Sequence, residues 1–387
     1  VSGRETDQRG EHADRGARPE GAERVLEAFR DVHGRDPEGV FSAPGRVNLI
    51  GEHTDHNEGH VLPFAIDRRT YVAAARRDDD RVTVCSDDPG TEATELAVGN
   101  LATATGWSAY PLGTLWALGV DRGWDLVVHG EVPLGAGLSS SAALESAVAL
   151  AVDELTGAGL DRVALAAAGR RAENEVVGAP VGIMDQAASL LCREGSALLL
   201  DCRSMATEDV ALGFETAGLA VLVIDSRVRH DLADGGYADR RAACVAAAEA
   251  LGVPALRDAT LPAVENLPEG APRKRARHVV TEQARVHETV ALVRAGRPTE
   301  VGAVLSASHA SLRDDYEVSV PEVDAIVEAA VGAGALGARI MGGGFGGSVI
   351  ALVPVERTGA VDEACSTLSP RPTVREVAPA PGARREG

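Results

Sequence analysis

The run Pro44-Gly-Arg-Val-Asn-Leu-Ile-Gly-Glu-His-Thr-Asp-His-Asn57 constrains this chain more than any other part of it. Its apolar and glycine positions suit a core strand leading into a loop, yet Arg46, Glu52, His53 and Asp55 fall within ten residues. Burying that many charges without partners is costly. Two readings are open: a solvated surface turn, or a strand and loop that hold a polyhydroxylated ligand. The second accounts for the strand pattern and the charges together. Carboxylates accept hydrogen bonds from hydroxyls, imidazole donates or accepts, and arginine adds a fixed positive charge.

A second run, Val132-Pro-Leu-Gly-Ala-Gly-Leu-Ser-Ser-Ser-Ala-Ala-Leu-Glu145, passes from a glycine turn through three serines into a helical pattern. Glycine lets backbone approach a ligand closely. The first amides of a helix lack internal partners and bind anions. A serine hydroxyl there can also reach Mg2+, which favours oxygen ligands. An ordinary glycine turn with a serine N-cap is the plain alternative, but three serines after Gly-x-Gly-Leu are more specific. Gly342-Gly-Gly-Phe-Gly-Gly347 lies between two strand-like runs. Each of its glycines loses chain entropy on folding, so the loop reads as one that approaches phosphates or substrate rather than as a plain turn. In Gly178-Ala-Pro-Val-Gly-Ile-Met-Asp-Gln186, Asp185 reads either as a helix N-cap or as a group beside a substrate hydroxyl. Glu173, twelve residues earlier, reads by itself as a helix-surface charge.

The 387 residues are enough for two domains. A net charge of −20 argues against nucleic acid or an anionic membrane as partner. Of the 38 basic residues only Lys274 is a lysine, and no Gly-Lys-Ser/Thr loop exists. Nucleotide phosphates would therefore be held by backbone amides, metal and arginine. Five cysteines with no Cys-x-x-Cys pair fit reduced thiols in a cytoplasmic protein. No apolar run reaches the roughly 18 residues of a membrane span. Residues 1–24, rich in Gly, Glu, Arg and Asp, lack the apolar core of a signal peptide and are expected to form a disordered extension.

Periodicity and capping predict helices over residues 25–33, 139–155, 161–176, 184–192, 236–251, 276–295, 301–312, 321–332 and 360–368, with Asp161 as an N-cap. Strands are expected over 68–75, 81–86, 126–131, 197–201, 219–225, 337–341, 349–353 and 372–377. The pattern is α+β, a mixed α/β arrangement, with no regular repeat. A boundary within 204–213 would separate an N-terminal domain over 25–208 from a C-terminal one over 209–387.

The first run closely resembles the sugar signature of galactokinases. The second matches the nucleotide-binding motif of the wider GHMP family of small-molecule kinases, and the loop 342–347 is similar to that family's third motif. Met341 stands where galactokinases usually carry Thr. Gly182-Ile-Met-Asp-Gln186, Val228-Arg-His-Asp-Leu232, Gly236-Tyr-Ala-Asp-Arg-Arg241 and the segment 308–319 also resemble galactokinase segments, so the likeness runs from about Val25 to Gly382. It implies the two-domain GHMP kinase fold with the active site in the interdomain cleft. It also implies ATP- and Mg2+-dependent phosphorylation of the C1 hydroxyl of α-D-galactose, the first phosphorylation step of galactose catabolism (the Leloir pathway). The partners would be galactose and ATP, with no nucleic acid and no membrane, in a monomer or a dimer.

The likeness also carries roles onto matching residues. Gly135, Ala136, Gly137, Leu138, Ser139, Ser140 and Ser141 would cradle the ATP phosphates, with Ser141 and Glu173 on Mg2+. Asp185 would orient the C1 hydroxyl, either as a base or as an electrostatic group, and Arg46 would steady it and the transferring phosphoryl. Glu52, His53, Thr54, Asp55, Gly182 and Tyr237, with Asp185, would hold the sugar. The segment 308–319, with His309 and Asp314, is expected to brace the C-terminal domain. His53 and His56 leave a zinc site as an alternative, and Trp107 and Tyr110 read as an adenine stack or as core. A kinase for another hexose, such as N-acetylgalactosamine, stays open because His56, Gly235 and Gly236 depart from the usual residues near the sugar. A sugar sensor without turnover is opposed by the intact Ser141-Ala142 pair, Arg46 and Asp185.

Overall fold

The computed structural model describes residues 18–228 and 236–386 of the chain. Its first sheet has six strands in the order Arg384–Glu386, Gly39–Asn48, Pro63–Arg76, Trp124–Gly130, Arg81–Ser86 and Thr94–Ala97. Neighbours are antiparallel, except that Arg81–Ser86 runs parallel to Trp124–Gly130. Successive side chains along a strand take opposite faces. Val72 and Ala74 therefore join one core with the helices Ala109–Ala117 and Ser140–Thr156, while Tyr71, Ala73 and Ala75 join another with Ala22, Val25 and Phe29 of the helix Glu20–His33. With both faces covered, such strands read as apolar runs rather than as alternation.

The second sheet runs Gly337–Met341, Ser348–Pro354, Leu219–Asp225, Thr373–Val377 and is antiparallel throughout. One face, with Leu222, Ile224, Ile340 and Val349, packs on helices that include Gly236–Leu251 and Ala271–Arg294. The other, with Val221, Val223, Ile350 and Leu352, shares a single core with Val47, Phe64 and Ile66 of the first sheet. Each such side chain contributes about 1.5–3 kcal/mol on burial. The two halves are thus held by a common core, and the motif loops leave the strand ends around it.

The expected division near residue 208 falls inside a strand, Thr207–Ala211, which pairs with Ser196–Asp201 in a small third sheet. Of its five side chains only that of Val210 is buried, so it reads like a linker. The last strand, Arg384–Glu386, returns to the first sheet, so residues 209–387 do not all lie with the C-terminal half. The first helix begins at Glu20, which takes Glu20 to Arg24 out of the expected extension; residues 1–17 lie outside the described ones. The helix Ala109–Ala117 was not anticipated, because it is buried nearly all round and shows no apolar stripe. Asp161 does cap its helix, accepting from the Ala164 amide at 2.7 Å. That helix ends at Ala172, where a π turn, Glu173–Val177, takes over. Such turns concentrate at functional sites. Among the described residues no helix is long and apolar enough to cross a membrane.

Candidate active site

The strand Trp124–Gly130 leads through residues 131–139 into the helix Ser140–Thr156. Gly135 and Gly137 take φ of 68° and 72°, and Ser139 is left-handed at 58°. The turn is pinned from outside: the Leu138 carbonyl accepts from the Arg46 amide at 3.1 Å, and the Ala136 carbonyl from the Ser348 hydroxyl at 2.6 Å. Ala136 and Leu138 are buried, so their contribution to the site is backbone. The helix ladder opens with the Ala143 amide on the Ser139 carbonyl. The amides of Ser140, Ser141 and Ala142 precede it, and with the helix dipole they form an anion seat. The loop 342–347 approaches this turn, since a Cβ on Gly342 would stand 3.7 Å from the Gly137 carbonyl. Met341 itself lies in the shared core.

Arg46 and Asp185 meet at two points, Nε to Oδ1 and Nη2 to Oδ2, both 2.9 Å. Arg46 Nη1 donates to the Gly137 carbonyl at 2.6 Å, and the Ser139 hydroxyl donates to Asp185 Oδ2 at 2.5 Å. The phosphate turn is therefore tied directly to this pair. Arg46 follows a register shift between Pro44 and Arg46, the kind of bulge that re-aims a side chain. Asp185 lies in the first turn of the helix Met184–Leu191 but does not cap it, which excludes the N-cap reading. Its side chain keeps 30% exposure beside an almost wholly buried Arg46, so the carboxylate has an open face.

Glu173 Oε1 accepts from the Ser141 hydroxyl at 3.3 Å. Gln186 Nε2 donates to both Glu173 and Glu145 at 2.9 Å. Burial and the nearby Asp185 push Glu173 up to about 7, and burial with Glu173 raises Glu145 strongly. Glu145 Oε1 and Gln186 Oε1 are buried without a partner. Crowded carboxylates with spare lone pairs beside a serine hydroxyl suit a hard cation held by few protein ligands and by phosphate, the habit of Mg2+. Among the described residues no group of three or more His, Cys, Asp or Glu offers a full metal cage. Glu145 and Gln186 escaped the sequence reading; the available signal was an acid inside an otherwise Ala-, Leu- and Val-rich helix.

Across from this side, Glu52 Oε1 accepts from the Gly342 amide at 2.8 Å and stands 3.3 Å from Arg339. Burial raises the Glu52 carboxyl even so. Arg339, wholly buried, donates to the carbonyls of Asn48, Leu49 and Ile340. His278 Nε2 lies 3.1 Å from the Glu52 carbonyl, and Glu282 accepts from the Gly51 amide at 3.1 Å and the Ser308 hydroxyl at 2.7 Å. None of these three props was singled out from sequence, because a charge on a helix or strand gives no sign of a distant partner.

His53 is left-handed at φ 62° and buried, with Nε2 unpartnered. Burial holds its imidazole well below the ordinary value, so it is neutral and can donate to or accept from a ligand. Asp55 lies against Gly182, where a Cβ would come 1.7 Å from Oδ2; only glycine allows this approach. The Thr54 hydroxyl is turned inward, 2.8 Å from the Gly51 carbonyl and 2.7 Å from that of His60, so it shapes the loop rather than facing a ligand. The rings of Tyr237 and Tyr316 stand 5.7 and 4.4 Å from that of His53. Tyr316 comes from the segment expected only to brace. His309 does brace, taking the Ile340 amide at 3.3 Å and standing 3.2 Å from Asp324. Trp107 and Tyr110 pack against the first core. Gly235 and the run from Arg229 to Leu232 lie outside the described residues.

The family models for the GHMP kinases N terminal domain and C terminal domain match residues 109–193 and 289–369. The fold overlays the mevalonate kinase of Methanococcus jannaschii with a TM-score of 0.64, at 17% identity, over 88% of this chain and 98% of that one. Fold and phosphate site together define a GHMP-type small-molecule kinase. The galactokinase galactose-binding signature matches residues 27–76. The galactokinase of Streptomyces coelicolor is 48% identical over 377 residues, 93% of this chain and 97% of that protein. That of Mycobacterium tuberculosis is 42% identical over 355 residues, 89% and 98%. The crystal structure of Lactococcus lactis galactokinase complexed with galactose overlays with a TM-score of 0.88, at 32% identity, over 94% and 99%. The chain belongs to the galactokinases, kinases that are transferases.

Proposed function

We propose that this chain transfers the γ-phosphoryl of ATP to the C1 hydroxyl of α-D-galactose, with Mg2+, in the cytoplasm. The observation that carries this reading is the Asp185 carboxylate, held at two points by Arg46 and once by Ser139, between the phosphate turn and the sugar loop. Phosphoryl transfer depends mainly on positioning and charge neutralisation. The amides of Ser140, Ser141 and Ala142 seat the phosphates. Ser141 and Glu173 would hold Mg2+, which neutralises phosphate charge when bound. Glu52, His53, Asp55 and Tyr237 hold the sugar hydroxyls, and Asp185 offers its open face to the attacking one. Arg46, fixed by Gly137 and Asp185, places a permanent positive charge where negative charge develops. Five unpaired cysteines, four of them buried, accord with a reducing compartment.

The test is ADP release with ATP and Mg2+ across galactose, N-acetylgalactosamine, glucose, mannose and mevalonate. Galactose well above the rest is the expected result. Preference for another sugar would change the substrate and keep the roles. Turnover of none, with ATP and galactose both bound, would overturn the reading in favour of a sensor.

A further inference from the structure

We propose that His56 is a positioning residue of the sugar site: its Nδ1–H holds Asp55 and forces the Tyr237 hydroxyl to keep its own proton for a substrate oxygen. The inference rests on the reading that Asp55 and Tyr237 face the sugar.

His56 sits in the short 3-10 turn Asp55–Asn57, with its side chain 2% exposed. Nδ1 lies 3.3 Å from Asp55 Oδ1 and 3.3 Å from the Tyr237 hydroxyl. Nε2 lies 3.3 Å from the Tyr316 hydroxyl, which stands 3.5 Å from Cys244 Sγ. An ionised carboxylate can only accept, so the hydrogen between Nδ1 and Asp55 belongs to Nδ1. Tyr237 then cannot donate to that nitrogen. Its oxygen shares the Nδ1–H, and its O–H points elsewhere. The ring of His53, on the same loop as His56, is 5.7 Å from that of Tyr237.

Charge supports the same order. A buried carboxylate is costly unless paired, and the cationic partner in contact with Asp55 is His56. Burial alone would lower the His56 imidazole, but Asp55 and Cys244 raise it to about 9. The groups facing it are Asp55 and His53 on its own loop, Tyr237 and Cys244 on the helix Gly236–Leu251, and Tyr316 beyond the helix Val301–Asp314. His278, on Ala271–Arg294, reaches the cluster through the rings of His53 and Tyr316. As an imidazolium, Nε2 donates to Tyr316, which passes its own proton toward Cys244. One side chain of the N-terminal half thus sets the proton order of two hydroxyls from the C-terminal half.

The test measures kcat, galactose KM, ATP KM and Tm for His56→Ala and His56→Gln between pH 6 and 9.5. Glutamine keeps a polar group of similar reach without the charge. His56→Ala should raise galactose KM by about ten-fold or more, the scale of a hydrogen bond to a charged group, with ATP KM within about two-fold. His56→Gln should recover part of that loss. In the unaltered enzyme galactose KM should stay level as pH passes about 9, because the proton lost there is the one on Nε2 and the Nδ1–H stays on Asp55. An unchanged galactose KM in both variants, or galactose and ATP KM rising together with a falling Tm, would overturn the proposal. Should His56→Ala not fold, His56→Gln decides: galactose KM raised with ATP KM within about two-fold supports the proposal, and an unchanged galactose KM overturns it. Galactose turnover by the unaltered enzyme checks the underlying reading separately; were another sugar preferred, the same KM comparison is made with that sugar.

Discussion

The proposed phosphate side and the proposed sugar side of this site are built on opposite plans. The phosphate side comes from one continuous stretch, residues 132–145, closed by the loop 342–347. Its working groups are backbone amides and serine hydroxyls, and Ala136 and Leu138 are buried props. The sugar side is made of ionisable side chains, Glu52, His53, Asp55 and His56, each buried among groups from elsewhere in the chain. Backbone recognises an anion through local conformation alone. Side chains that recognise hydroxyls must first be fixed against one another, and breaking one buried charged pair costs about 3–5 kcal/mol. The sugar side should therefore be the more fragile of the two.

The largest break in that contrast comes where the sides meet. Asp185→Asn should abolish galactose turnover, a loss of about a thousand-fold or more, while calorimetry still finds ATP bound. Near-normal activity would mean that the two sides do not converge on this carboxylate. Arg46→Ala should come next, with kcat down by about a hundred-fold or more and galactose KM moving less. A pure KM effect would confine Arg46 to ground-state binding. Gly182→Ala then separates the sides, because its Cβ would displace Asp55. Galactose KM should rise by about ten-fold to a hundred-fold, with ATP KM nearly unchanged; equal effects on both would show the sides to be coupled.

The smallest effect expected is on stability. Burial depresses His278 to about 4, against an unfolded value near 6.5. Over that interval the unfolded state binds the extra proton, so stability is complete above about pH 6.5 and is lost as pH falls toward 4. Glu282 works in the same direction lower down: burial opposes its ionisation, but Arg285 and His278 hold it at about 2, so its contribution fades as pH falls through 4.5 to 2. A Tm profile that falls between pH 6.5 and 4, and falls less in His278→Asn, is the expected outcome. A flat profile would mean that the buried props of the sugar loop are not the acid-sensitive ones.

Legibility followed the same division. The turn at 135–141 could be read because glycine conformation and a helix start are properties of neighbouring residues. The strands Leu219–Asp225 and Gly337–Met341 were readable as apolar runs. Asp185 stood out as a candidate, but only its uncapped geometry separated it from a helix cap. Thr54, grouped with the ligand-facing residues by its place in the motif, proved to turn inward. Tyr316 was visible in the sequence but assigned to bracing, since nothing local reports that its ring lies 4.4 Å from that of His53.

By itself the sequence determined the mixed fold, the phosphate turn and the charged strand that ends in the sugar loop. These rest on contiguous residues, whose backbone preferences and apolar spacing act locally. Only the tertiary structure decided how the buried charges are neutralised. Arg339 reaches the Leu49 carbonyl across 290 residues of chain, and His278 the Glu52 carbonyl across 226. Such pairs follow from how two sheets pack around one shared core. No local rule of sequence carries that distance, because the partner of a buried charge is chosen by packing and not by neighbourhood along the chain.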